Sequence, residues 1–228
     1  DGLKIVAGYD KNDAVKNPYP VFTDLKDCDV DIDVVIDFSH PSAFNSVLDF
    51  AVSRRVALVM ATTGLSQANV KSLEDASGAI PIFFSSNMSL GVNLVVDLVK
   101  KAAKVLEDNF DIEIIELHHN QKIDAPSGTA LTIADAINSV LHQKRDYVFD
   151  RHSRRKKRSK GEIGIHSIRG GTIVGEHSVI FAGNDEIIEI KHTATSKEVF
   201  GIGALKAAAF VVSKEPGLYS MKDLVENI

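Results

Sequence analysis

Two imidazoles, an ammonium group and carboxyl groups fall within the fifteen residues Glu116-Leu-His-His-Asn-Gln-Lys-Ile-Asp-Ala-Pro-Ser-Gly-Thr-Ala130. Histidine changes charge near neutral pH, and lysine brings a compact cation suited to a carboxylate or to proton donation. Apolar, strand-like sequence precedes the run and helix-like sequence follows it. Ser127, Gly128 and Thr129 therefore open a helix, where backbone N–H groups form an anion site. Proton-transfer groups beside an anion cradle suit acid/base chemistry on a small anionic molecule.

His118 and His119 end the strand-like stretch Ile112–Leu117. Adjacent strand residues point to opposite faces, so the two rings cannot share one task unless the strand ends there. One is expected to face a cleft while the other bonds to structure. A metal pair is the alternative, but no Cys, His or carboxylate stands at a ligand-like spacing, and no metal is expected.

Other candidate residues also follow strand-like runs. In a dinucleotide fold, an acid ending the second strand accepts from the adenosine ribose, and a neighbouring base meets a 2′-phosphate. Asp10-Lys11 fits that place, and a plain polar turn is the alternative. Asp37-Phe-Ser-His-Pro41, Ala61-Thr-Thr-Gly64 and Ser85-Ser-Asn-Met88 each end a strand with small or hydroxyl residues. These leave backbone N–H groups open to phosphate or nicotinamide, although turns use the same residues. Three such ends along one sheet edge point to a bound nucleotide. The segment Arg151-His-Ser-Arg-Arg-Lys-Lys-Arg-Ser-Lys160 is strongly basic but lacks interleaved aromatics. It reads as a solvated, mobile loop that attracts anionic substrate by its field, rather than as a nucleic-acid site.

The elements that must position these groups are legible from periodicity. Leu3–Tyr9, Asp33–Phe38, Ala57–Ala61 and Ile80–Phe84 read as strands, with helical spacing over Pro41–Arg54 and Ser66–Ser77. Continuous apolar strands separated by helices imply a parallel sheet covered on both faces, with ligands at the carboxyl ends of the strands. Helices are expected over Gly91–Asn109, Thr129–His142 and Val199–Ser213. Gly164–Arg169, Thr172–Ala182 and Glu186–Thr195 alternate apolar and polar residues and read as an antiparallel meander.

The chain of 228 residues is long enough for one large or two small cores. It is 44% hydrophobic and 25% charged, ordinary for a soluble globular protein. A net charge of -5 argues against a polyanion binder. Cys28 is the single cysteine, which excludes an internal disulfide and fits a reducing compartment, so a cytoplasmic location is expected. No apolar run approaches the roughly 20 residues of a membrane span, so no membrane partner is expected. The chain starts at Asp1 with a strand almost at once, and is expected to begin inside a domain.

The run Glu116-Leu-His-His, Lys122 and Asp124-Ala-Pro-Ser-Gly-Thr129 resembles the signature of the 4-hydroxy-tetrahydrodipicolinate reductase (dihydrodipicolinate reductase) family of lysine and diaminopimelate synthesis. Asp37–Pro41, Ala61–Gly64, Asn87-Met-Ser-Leu-Gly-Val-Asn93, Arg169-Gly-Gly171 and Val174-Gly-Glu-His177 match in order and spacing. The resemblance implies a Rossmann-like, doubly wound parallel sheet, lacking its first strand and Gly-rich loop, plus an α+β domain with a mixed sheet. It assigns residues 1–89 with 198–228 to a dinucleotide-binding domain and 90–197 to substrate binding and tetramerisation. It implies NADH or NADPH as cofactor, a small dicarboxylate substrate and a homotetramer.

By match, His118 is the general acid/base, Lys122 pairs with a substrate carboxylate and assists proton transfer, and His119 contacts substrate. Gly128 and Thr129 hold the other carboxylate. Ala61, Thr62, Thr63, Ser85, Ser86, Asn87 and Met88 line the nicotinamide side. Asp10 takes the adenosine ribose and Lys11 the 2′-phosphate. Ala61 and Met88 depart from the commoner Gly and Phe. Without the pyrophosphate loop, these residues alone are expected to bind dinucleotide poorly and to fold incompletely. The competing readings are another reductase of the aspartate pathway and a cofactor-deficient scaffold protein. The first needs a nucleophilic cysteine or a different substrate motif, and Cys28 sits in a polar segment unlike a catalytic thiol.

Overall fold

The computed structural model describes residues 2–12 and 14–227. The chain forms β1 (Gly8–Tyr9), β2 (Val21–Phe22), β3 (Val34–Asp37), α1 (Phe44–Arg54), β4 (Ala57–Met60), α2 (Gln67–Ala76) and β5 (Pro81–Phe84). It continues through α3 (Leu90–Leu106), β6 (Asp111–His118), α4 (Gly128–Asn138), β7 (Asp146–Val148), β8 (Glu162–Arg169), β9 (Gly175–Ala182) and β10 (Ile187–Ala194). It ends with α5 (Glu198–Val211), β11 (Gly217–Tyr219) and α6 (Met221–Glu226). Two compact units result, Asp1–Met88 with Phe200–Ile228, and Ser89–Val199.

In the first unit β3, β4, β5 and β11 form a parallel sheet in the order β11-β5-β4-β3. Ala57-Leu-Val-Met60 is apolar throughout and buried throughout, as a strand covered on both faces must be. Leu58, Met60 and Ile82 pack against Phe44, Val47 and Leu48 of α1 and Leu73 of α2. Phe83 meets Phe210 of α5 edge to face at 6.2 Å. Small residues bring α5 close: a Cβ added at Gly203 would stand 1.7 Å from the Met88 carbonyl oxygen. Ser66 and Asn69 cap α2 reciprocally, which stops the helix from starting earlier.

β1 and β2 pair in parallel as a separate two-stranded sheet. The strand expected over Leu3–Tyr9 is therefore only Gly8–Tyr9. A strand needs a ladder partner, and β2 offers Val21 and Phe22 only. A cavity of about 410 Å³ is lined by residues of β1, β3 and α1, with Asp10 and Ser39 among them.

The second unit is a five-stranded mixed sheet in the order β10-β9-β6-β8-β7. β6 runs parallel to β8 and antiparallel to β9, and β9 and β10 form a hairpin. The antiparallel meander expected over residues 164–195 holds only for that hairpin. β8 and β9 are joined by the short Gly170-Gly171 turn, yet β6 lies between them. The turn crosses the end of β6, where Gly170 N–H donates to the His118 carbonyl (2.9 Å) and Asn120 N–H to the Gly171 carbonyl (3.2 Å). Ile112 and Ile114 on β6 are buried with Ile163 and Ile165 of β8, Val179 and Phe181 of β9, and the apolar stripes of α3 and α4. α4 stops at Asn138 rather than His142: Val140 N–H turns to the Ile137 carbonyl (3.1 Å) and the Ser139 hydroxyl takes the Ala136 carbonyl (2.7 Å), in place of the next helical bonds.

The basic segment is not simply solvated. Arg158 bonds to Asp111 and Glu113 at 2.8 Å each, and Arg151 bonds to Glu113 at 2.7 Å and Glu162 at 3.1 Å. Two of its arginines thus fasten it to β6 and β8.

Candidate active site

β6 alternates strictly, with Ile112, Ile114, Glu116 and His118 on the buried face. The inward stripe changes from apolar to ionisable at its carboxyl end, where the packed core stops. Glu116 is 0% exposed. A buried carboxylate survives only with partners, and Glu116 has them on both oxygens. Arg169 grips it with two bonds, Nη1 to Oε2 at 2.8 Å and Nη2 to Oε1 at 2.7 Å. The Ser127 N–H donates to Oε1 at 3.2 Å, and His118 Nδ1 lies 2.5 Å from Oε2. Burial pushes the carboxyl pKa up, but the Arg169, Ser167 and His118 hydrogen bonds outweigh it and hold the group at about 2. Glu116 is therefore an anion at neutral pH.

His177 faces Glu116 across the β6–β9 ladder. Its Nε2 lies 3.0 Å from Ser127 Oγ, and its ring meets the His118 ring edge to face at 5.3 Å. Burial, then the neighbouring His118, push its pKa down to about 4, so it is neutral at physiological pH. Ser127 is the N-cap of α4, its Oγ accepting from Ala130 N–H at 3.2 Å. The sequence places three N–H groups in an anion cradle here. The structure commits that of Ser127 to Glu116, and Gly128 and Thr129 stand in the first turn of α4.

β6 ends at His118, which resolves the facing problem of the histidine pair: His118 is buried and His119 is half-buried in the loop beyond. Lys122 follows in that loop, and its Nζ is 2.8 Å from Asp124 Oδ1. The ammonium holds the Asp124 carboxyl below its usual range. Arg169 Nη2 also donates to the Asp124 carbonyl at 2.7 Å, tying the Lys122 loop to the group that holds Glu116.

In the first unit the strand ends form their own cluster. Asp37 is buried at the end of β3 and accepts from Thr62 Oγ1 (2.8 Å) and Ser39 N–H (2.9 Å). Thr62 thus fixes the turn with its hydroxyl, while Thr63 is exposed beside Gly64, whose φ is +75°. Ala61 N–H continues the ladder to the Asp37 carbonyl at 2.9 Å, and Ser85 N–H to the Met60 carbonyl at 3.3 Å. Ser85 Oγ donates to the Asn87 carbonyl at 2.8 Å; Ser86 is exposed and Met88 is buried. Asp10 and Lys11 are exposed after β1, with Asp10 Oδ1 accepting from Asn12 N–H at 2.9 Å. Sequence reasoning assigned no role to Asp37, Glu116, Arg169 or His177. The one local signal was a carboxylate at even spacing from His118 on an otherwise apolar strand face.

A parallel α/β sheet with hydroxyl-lined strand ends, and a mixed sheet carrying a buried carboxylate–histidine pair, make this a two-unit α/β protein. Residues 1–88 match the family described as dihydrodipicolinate reductase, N-terminus, and residues 91–225 match dihydrodipicolinate reductase, C-terminus. The chain belongs to the dihydrodipicolinate reductase family. The 4-hydroxy-tetrahydrodipicolinate reductase of Caldanaerobacter subterraneus subsp. tengcongensis is 57% identical over 225 residues, spanning 99% of this chain and 89% of that protein. That of Clostridium novyi is 49% identical over 228 residues, spanning 100% and 90%. The structure of a dipicolinate-bound dihydrodipicolinate reductase from Paenisporosarcina sp. TG-14 superposes with a TM-score of 0.78 over 95% of this chain and 87% of that one. At 24% identity it bears on the fold alone.

Proposed function

We propose that the protein reduces 4-hydroxy-tetrahydrodipicolinate to tetrahydrodipicolinate with NADH or NADPH, in lysine and diaminopimelate synthesis. Membership of the family over both halves supports this, and so does the activity for which the relatives are named. The observation that carries it is the ionised, fully buried Glu116 bonded to Nδ1 of His118 at the strand end. It leaves Nε2 of His118 as the nitrogen that exchanges a proton with substrate.

The residues of the first unit fit a nicotinamide dinucleotide. The cavity beside Asp10 offers a carboxylate to ribose hydroxyls, and Lys11 offers a cation to a 2′-phosphate. Ala61, Thr62, Thr63, Ser85, Ser86, Asn87 and Met88 form the strand-end turns on the nicotinamide side. When bound, the cofactor supplies the hydride; the protein supplies orientation and charge. His118 donates or accepts the accompanying proton at Nε2. Lys122 exchanges its internal partner Asp124 for a substrate carboxylate. Gly128 and Thr129 hold the second carboxylate at the start of α4, and His119 contacts the ring. A cationic pair beside two carboxylates positions the substrate and steadies charge that develops on it.

Residues 1–89 with 198–228 act as the cofactor domain and 90–197 as the substrate and assembly domain of a cytoplasmic homotetramer. Exposed Ile168 and Ile187 on the mixed sheet support assembly through that sheet. No described helix is long and apolar enough to cross a membrane. The test is coupled consumption of NADPH on freshly generated substrate by wild type and His118→Gln. A loss of at least 100-fold in kcat is expected, and equal rates reject the role of His118.

A further inference from the structure

We infer that Glu116 and Arg169 form a positioning bracket that sets both proton-handling side chains of the second unit, and that Glu116 selects the tautomer of His118. The inference deepens the proposed reductase reading and rests on it for the reaction, but its geometry stands in the resting protein.

Glu116 is fully buried, yet no member of the reaction needs a carboxylate there. Its two oxygens receive Arg169 Nη1 and Nη2, the Ser127 N–H and the His118 Nδ1 position, at 2.5 to 3.2 Å. An ionised carboxylate has no proton to donate, so Nδ1 of His118 must carry the hydrogen of that contact. Neutral His118 is thereby the Nδ1–H tautomer, with a lone pair on Nε2. A protonated ring keeps the same contact and gains an ion pair. The Nε2 edge has room because residue 175 is glycine; a Cβ there would stand 3.1 Å from Nε2. Both states thus present the same atom in the same place, which proton transfer in each direction requires.

Arg169 extends the bracket. The Nη2 that holds Oε1 also donates to the Asp124 carbonyl at 2.7 Å, and the Asp124 carboxylate holds Lys122 Nζ at 2.8 Å. One guanidinium therefore ties the His118 strand to the Lys122 loop. Its planar fork makes the two-oxygen grip that a lysine cannot copy. His177, neutral and packed against the His118 ring, closes the opposite side. Neither Glu116 nor Arg169 is placed against the reacting atoms, and both act through His118 and Lys122.

The decisive variant is Glu116→Gln. It preserves volume and one acceptor for Arg169, but the amide that faces His118 can donate where the carboxylate only accepted. The experiment combines three readouts on the purified full chain: ¹⁵N chemical shifts of the His118 ring, kcat and KM with NADPH and substrate, and the urea midpoint. Wild type is expected to show the Nδ1–H pattern. In Glu116→Gln the expectation is a mixed or Nε2–H pattern, a kcat at least 100-fold lower and a substrate KM within about threefold. Glu116→Asp keeps the acceptor and is expected to recover at least tenfold of that kcat. Arg169→Lys keeps the charge and is expected to raise KM and lower kcat together, because it frees the Lys122 loop. An Nε2–H wild type, or Glu116→Gln with an unchanged ring pattern and kcat within threefold, overturns the bracket. A kcat loss that tracks the urea midpoint in all variants, without a ring signature, also overturns it. Should wild type show the Nδ1–H pattern and Glu116→Gln invert it while neither reduces this substrate, the reaction assignment fails and the bracket stands.

Discussion

Replacing Gly203 by alanine tests how closely the last long helix must approach the strand-end turns. The added Cβ would stand 1.7 Å from the Met88 carbonyl oxygen, 1.3 Å short of the 3.0 Å below which real Cβ contacts essentially never fall. The oxygen is backbone, so no rotamer change relieves the overlap. α5 must lift or the Met88 peptide must turn. Ala207, Ala208 and Val211 on the same helix are 0% exposed, so lifting it by that distance opens gaps along the sheet. A gap of about 0.5–1 Å already forfeits a quarter to a half of each dispersion contact. Overpacking of this kind costs about 1–3 kcal/mol, and the rigid neighbour places Gly203→Ala near 3 kcal/mol. The control lies in the same helix: at Gly201 an added Cβ meets nothing within 4 Å. Gly201→Ala should be neutral or stabilising by up to about 1 kcal/mol, since alanine is the better helix former. Urea unfolding with an unchanged slope measures both. Because Ser85–Met88 is the segment pushed, KM for NADPH should rise in Gly203→Ala while the His118 ring signals stay as in wild type. Equal stability of the two variants, within about 0.5 kcal/mol, would refute the close-approach argument.

Further outcomes follow from individual contacts. Ser127→Ala removes the α4 cap and the partner of His177 together, and should cost about 1–2 kcal/mol in urea unfolding. His177 has a folded pKa of about 4 against 6.5 for the free ring, so the unfolded chain binds more protons between those values. The stability that depends on keeping His177 neutral is intact above pH 6.5 and falls as pH drops toward 4, by on the order of 3 kcal/mol over the whole window. His177→Gln should flatten the fall between pH 6.5 and 4.5, a range above the Glu116 titration, and an unaltered slope rejects the assignment. Arg158→Ala leaves the half-buried Glu113 with fewer donors and should cost about 1–2 kcal/mol, measured the same way. Lys11→Ala should raise KM for NADPH several-fold and leave KM for NADH unchanged; equal effects on both remove Lys11 from the 2′-phosphate.

What the sequence made legible was local, and what it hid was pairing across distance. The α/β alternation of the first unit, the buried run Ala57–Met60 and the helix opened by Ser127 are written in consecutive residues, and the fold contains them. Alternation along residues 164–195 also predicts strands correctly, but it carries no record of which strand lies beside which. The tight Gly170-Gly171 turn favours a hairpin, whereas β6 offers a longer apolar ladder to both β8 and β9 and separates them. That insertion has a chemical consequence. It sets His118 opposite Arg169 on one side, and Glu116 opposite His177 on the other. Read along the chain, Arg169 and His177 are two isolated polar residues near a glycine turn. Read across the sheet, they flank the only carboxylate on the buried face of β6 among the described residues. His118 and Lys122 stand out along the chain because they fall within five residues. The setting of Glu116 does not, because its partners are brought to it by a strand order that only packing decides.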